Sequence, residues 1–187
     1  MNELTIHSIA GYCNEKALWK LLVNLSTEML QDNSNDWKVL MPDMVTVDGE
    51  EFRMESETPQ NPVTEFYPPE GIENYGEAGF VWSLGALVCY ASSGHYVFGG
   101  RGGTYQRSHP KVNLPVLKKE HSALTAAVKR CLCYFPSQRI SLKELHAIAV
   151  KSLDSNEKTS RIKRICEPDG ASISPKCPDD TWPEEMG

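Results

Sequence analysis

Glu55 and Glu57, in the run Met54-Glu55-Ser56-Glu57, are the side chains whose type and spacing first invite a chemical reading. Either could hold a divalent cation in principle. Isolated carboxylates rarely form metal sites, so a solvated acidic loop is the expectation. The histidines His7, His95, His109, His121 and His146 are scattered, and their spacing gives no support to a Cys–His nucleophile pair. Of the 6 cysteines, Cys89, Cys131 and Cys133 sit in apolar helical patterns, where a free thiol behaves as a small core group. Cys131-Leu132-Cys133 is not a zinc spacing, because two helical positions turn the thiols apart by about 200°. The glycine run Phe98-Gly99-Gly100-Arg101-Gly102-Gly103 reads as flexible, and it lacks the strand–loop–helix setting of a phosphate cradle. No catalytic, cofactor-binding or metal-binding residue is therefore expected.

Charge and composition narrow the partners. The chain has 187 residues, a formal charge of −6 and 40% hydrophobic residues, which suits one globular domain. An acidic chain is ill suited to phosphate-backbone binding, which argues against a nucleic-acid partner and for a protein or peptide, possibly basic. The acids Glu50, Glu51, Glu55 and Glu57 are candidates to receive it, as is Trp182 in the acidic, proline-flanked segment Asp179-Asp180-Thr181-Trp182-Pro183-Glu184-Glu185. A solvated hairpin and loop is the plainer reading of those acids. Trp19 and Trp82 fall in apolar helical patterns and are expected in the core. No stretch approaches the roughly 20 apolar residues of a membrane span, and the first residues lack a signal-peptide pattern. The expectation is a cytoplasmic protein off the membrane, with its oligomeric state left open.

The positioning elements read as mainly helical. Asn14 is placed to cap a helix in which Ala17, Leu18, Leu21, Leu22, Leu25 and Met29 recur at helical spacing to about Gln31. Asp48-Gly49 between β-rich runs predicts a two-stranded ribbon. Glu55 to Glu65 is polar, carries Pro59 and Pro62, and reads as a loop. A helix over about Ala78 to Ser92 is apolar on nearly every side and belongs at the centre of the domain. An amphipathic helix over His121 to Tyr134 follows. Ser141 and Glu144 then form a capping box at the last domain helix. Composition changes near Leu153, which divides a domain over 1–153 from a tail over 154–187, first basic (Lys158, Arg161, Lys163, Arg164), then acidic and proline-rich.

Three stretches carry a resemblance. Tyr67-Pro68-Pro69-Glu70, Val81-Trp82-Ser83-Leu84-Gly85 and Pro136-Ser137-Gln138-Arg139-Ile140-Ser141 resemble, in order and spacing, the C-terminal lobe of protein kinases. The resemblance covers roughly residues 15–150. It implies a helical bundle with one small β-hairpin and no nucleotide-binding N-terminal lobe. It implies a buried ion pair between Glu70, in the place of the family's A-P-E glutamate, and Arg139. Pro42 fits the proline of the catalytic loop. Trp37 and Lys38 then stand in the His-Arg slots, Val39 on the catalytic aspartate, and Met44 on the metal-binding asparagine. Valine and methionine neither accept a proton nor hold Mg²⁺. Phe80 fills the place of the aspartate that braces that loop. Leu4 to Ile9 followed by Asn14 to Trp19 is similar to the opening of the KIND domain, the kinase non-catalytic C-lobe module, which implies a pseudokinase-like interaction module. An enzyme reading stands beside it, in which the chain is half of a split kinase completed in trans by a nucleotide-binding lobe.

Overall fold

In chain order the elements are β1 (Leu4–Thr5), α1 (Ile6–Ile9), α2 (Glu15–Gln31), β2 (Val45–Asp48), β3 (Glu51–Met54), α3 (Glu77–Ser93), α4 (Gly102–Ser108), α5 (Ser122–Cys131) and α6 (Leu142–Cys166). Short 3₁₀ turns lie at Pro42–Met44, Thr64–Phe66 and Pro136–Gln138. The computed structural model describes residues 4–32, 34, 36–55, 62–109 and 122–166. The fold is mainly helical, with one small antiparallel sheet.

Burial follows from pattern. Every residue of α3 from Gly79 to Ala91 is buried, so the helix has no solvent face and must be surrounded. It packs on α2, α5, α1 and α6. Asn14 caps α2 as expected, its Oδ1 accepting from the Ala17 amide at 2.9 Å. Trp19 and Trp82 are both fully buried. The Trp19 indole donates to Glu15 Oε1 at 3.1 Å, and that of Trp82 donates to Gln106 Oε1 at 3.0 Å. Each ring thus buries its apolar body while its N–H keeps a partner.

The ribbon forms on the Asp48-Gly49 turn, with Val45 opposite Met54 and Asp48 opposite Glu51. It is not alone. Leu4–Thr5 pairs antiparallel with β2, so the sheet has three strands in the order β1-β2-β3. Leu4–Thr5 is therefore a strand, and the short helix α1 follows it directly. The glycine run also departs from expectation. Gly102 starts α4, and the Gly103 amide donates to Tyr67 O at 2.7 Å. A β-carbon on Gly103 would collide with the backbone of Pro68 and Pro69. Contact, not looseness, selects glycine there. The last helix passes through the composition change at Leu153 and ends at Cys166. The side chains of Arg161, Lys163 and Arg164, and the apolar run Leu114 to Leu117, lie outside the described part.

Glu70 and Arg139 meet as a fork on a fork. Arg139 Nη1 reaches Glu70 Oε1 at 2.5 Å and Nη2 reaches Oε2 at 2.7 Å. The arginine side chain is fully buried and the glutamate nearly so, at 0% and 15% exposed. The same guanidinium donates to the carbonyls of Cys133, Ala78 and Tyr134. Removing one member leaves a charge stranded out of water. Arg139→Met is expected to destabilise the fold by about 3–5 kcal/mol, read from the urea midpoint. Glu70→Gln, which keeps the shape but strands the buried guanidinium and sets an amide N–H₂ against one of its donors, is expected to cost a comparable amount. Equal, small losses in both variants would show that the pair contributes nothing beyond packing.

Candidate docking hollow

The segment between α2 and β2 approaches the segment between β3 and α3, and a hollow of about 350 Å³ opens between them. Trp37, Val39, Met41, Met44, Tyr67, Ile72 and Tyr75 line it, with Pro62 and Lys38 at its edge. Each wall is held from behind. The Trp37 ring packs on Phe80 of α3 at 5.7 Å between centroids, tilted by 56°. The Tyr75 hydroxyl lies 3.0 Å from Lys38 O and 2.9 Å from Ser83 Oγ, bridging both walls to α3. Burial pushes the Tyr75 phenol well above its ordinary range, so it stays neutral. The Pro42–Met44 turn buries Met44 and feeds the chain into β2. Ile72 is left 55% exposed at the lip.

Chemically the hollow can bind but offers little to react with. Lys38 is the ionic group of its lining, and its ammonium lies 3.3 Å from Asp36. Among the described residues, no group of three or more His, Cys, Asp or Glu side chains could hold a metal ion. Trp37, Lys38, Val39 and Met44, read from the sequence as the altered catalytic-loop positions, all come together here.

The acidic candidates separate. Glu50 and Glu51 are not an open acidic face, because they bind cations of their own chain. Lys16 and Lys20 approach Glu50 at 3.0 and 2.7 Å, and Glu51 accepts from Asn24 at 2.6 Å. These contacts fasten the hairpin to α2. Glu55 is exposed, accepts from Thr46 Oγ1 at 3.0 Å, and follows directly on β3. Its amide donates to Met44 O at 2.7 Å, so of the described acidic candidates it stands nearest to the apolar lining. Glu57 and Trp182 lie outside the described residues.

One carboxylate escaped the sequence reading. Glu65, 1% exposed, sits in the stretch read as a polar loop. Its oxygens accept from the amides of Phe98 at 2.7 Å, Gly100 at 2.8 Å and Gly102 at 3.4 Å. Desolvation nevertheless raises its pKa, against the pull of those amides. The glycine run thus wraps a buried acid and holds the Thr64–Phe66 turn from which Tyr67 enters the hollow. The one sequence signal was an acid lying upstream of a glycine tract that lacked any other partner.

No protein-family model matches the chain, and no curated protein matches it.

Two outcomes follow from this geometry. Gly103→Ala is expected to destabilise by roughly 1–3 kcal/mol or more, because backbone cannot move aside as a side-chain tip can. The measurement is the thermal midpoint, and a midpoint unchanged from wild type would contradict the close approach. The Lys16 and Lys20 contacts hold Glu50 down to about 2. A depressed carboxylate contributes stability above its unfolded value near 4.5, lost as pH falls toward 2. Wild type should therefore lose more stability than Glu50→Gln across that window, and the difference should shrink at high salt. Parallel acid profiles for the two proteins would exclude the attachment.

Proposed function

We propose that this chain is a non-catalytic, KIND-like pseudokinase module that captures a peptide or protein partner in the hollow between Trp37 and Tyr75. One observation carries the reading. The positions that resemble a kinase's proton acceptor and metal ligand, Val39 and Met44, line an apolar hollow rather than a cluster of polar groups. Phe80, in the place of the bracing aspartate, supports the Trp37 wall by ring packing instead of by hydrogen bonds. An apolar recess beside methionine and aromatic walls suits an apolar anchor residue, and methionine adapts to different anchor shapes. Glu55, beside Met44, supplies an acidic edge for a basic flank. Function would then reside in recognition, with no phosphoryl transfer.

Selection from a random peptide library on the immobilised chain tests this. The expected peptides share one apolar anchor and basic flanks. Their affinity should fall at least about tenfold, near 1.4 kcal/mol, on Val39→Asp or Ile72→Asp. Glu55→Gln should weaken them less and remove their salt dependence. Turnover of labelled ATP that disappears on substitution of Glu55 or Glu57 would overturn the reading. So would selected peptides that ignore both apolar substitutions.

A further inference from the structure

The hollow between Trp37 and Tyr75 has an uneven supply of hydrogen-bonding groups. Several of its backbone carbonyls already have donors. The Lys38 carbonyl is met by the Tyr75 hydroxyl at 3.0 Å, and that of Met41 by the Met44 amide at 3.0 Å. The carbonyls of Met44, Tyr67 and Ile72 accept from the amides of Glu55, Gly103 and Tyr75. The side-chain donors are open by contrast. The Trp37 indole N–H and the Tyr67 hydroxyl have no partner among the described residues, and neither is buried. The other two described indoles, those of Trp19 and Trp82, each have an acceptor.

A ligand that fits brings acceptors for these donors and few donors of its own. An ordinary peptide carries one N–H for every carbonyl. An N–H laid over this wall loses its water and gains little in return. Proline removes the mismatch, because it keeps the carbonyl, lacks the N–H and presents an apolar ring. In the polyproline II helix the backbone makes no internal bonds, so its carbonyls stay free to accept. With about three residues per turn, neighbouring rings can rest on one surface. A recess of about 350 Å³ takes two such rings. The receiving rings are already set: Trp37 rests on Phe80, and Tyr75 is held through its hydroxyl. Binding therefore orders little on this side. Glu55, exposed and bonded through its amide to Met44 O, supplies the charge complement of a lysine or arginine beside the prolines.

We propose that the partner segment is a proline-rich stretch in the polyproline II conformation with a basic residue beside it. Its carbonyls accept from the Trp37 indole and the Tyr67 hydroxyl, and its rings lie among Trp37, Tyr67 and Tyr75. This names the occupant of the hollow and rests on the reading of the hollow as a docking site. The competing occupant is a segment that lodges a single leucine in the recess, which needs neither donor.

Titration of the full chain with two peptides decides between them. One is a run of prolines ending in a pair of lysines. The other has the same length and lysines, with leucine and alanine in place of the prolines. The proline peptide is expected to bind at least about tenfold more tightly. The NMR signal of the Trp37 indole N–H, identified by its loss in Trp37→Phe, should move as that peptide saturates the chain. The signals of Trp19 and Trp82, whose N–H groups are already bonded, should stay in place. Trp37→Phe and Tyr67→Phe each keep an aromatic ring and remove its donor. Each should weaken the proline peptide by about three- to tenfold. The shift of the indole signal is read on the unsubstituted chain, so it holds whether or not either variant folds. Equal or tighter binding of the leucine peptide, a Trp37 signal that does not move, or phenylalanine variants that bind like wild type would each overturn the proposal. Leucine-peptide binding that is lost in Val39→Asp would do so while leaving the hollow a docking site. Binding of neither peptide, or binding that survives Val39→Asp, would remove that reading as well.

Discussion

The guanidinium of Arg139 is the constraint on which the arrangement rests. Arginine carries five N–H donors and no acceptor, and cannot shed its charge. Buried, it demands a partner for each. It finds them in three separate stretches: Glu70 before α3, Ala78 in the first turn of α3, and Cys133 and Tyr134 after α5. No small displacement of any one stretch leaves the set satisfied. Glu77 adds a further tie, its carboxylate accepting from the Leu142 amide at 2.8 Å at the start of α6. Hydrophobic packing brings α3, α5 and α6 together without fixing their register. The directional bonds at Arg139 and Glu77 fix it.

The same logic reaches the hollow. Glu70 anchors the segment that begins with Tyr67, and Glu65 anchors the turn just before it. One carboxylate is held by a cation, the other by three backbone amides. Glu28, on α2, accepts from the Met54 amide at 2.9 Å and holds the end of the hairpin. Acids in this chain therefore act largely as clamps on backbone. Among the described residues the formal charge of −6 is thus partly spent within the fold: Glu50 and Glu51 face their own lysines, Glu65 is buried and Glu70 is largely covered. Net charge predicts a partner only when the charges are free to meet it.

What the sequence disclosed, and what it withheld, follows the range of each interaction. Asn14 and its helix, the Asp48-Gly49 turn and the apolar helix around Trp82 are set by residues within one or two turns of each other, so pattern suffices. The Glu70–Arg139 pair is long-range and became legible only through a resemblance that supplied both ends. Leu4–Thr5 gave no strand signal because two residues show no alternation, and their partners Thr46 and Val47 lie far along the chain. The glycine run was misread for a related reason. Composition gives its freedom, while its contacts with Pro68, Pro69 and Glu65 are tertiary. Val39 and Met44 stood out in the sequence only through that resemblance, and the hollow they line needed Tyr67, Ile72 and Tyr75 brought in from beyond the hairpin.

The size of the hollow limits how the proposed recognition can work. About 350 Å³ accommodates one large side chain or two small ones. Burying one such chain contributes roughly 1.5–3 kcal/mol. Micromolar binding needs about 8 kcal/mol, after the cost of lost translational and rotational freedom has been met. An anchor alone falls well short, whatever its fit. The difference has to come from contacts outside the recess, along the exposed Ile72 lip and the Glu55 edge, where charge governs the rate of encounter more than the depth of the bound state. A partner read through this surface must therefore present an extended motif, and its complex should be short-lived.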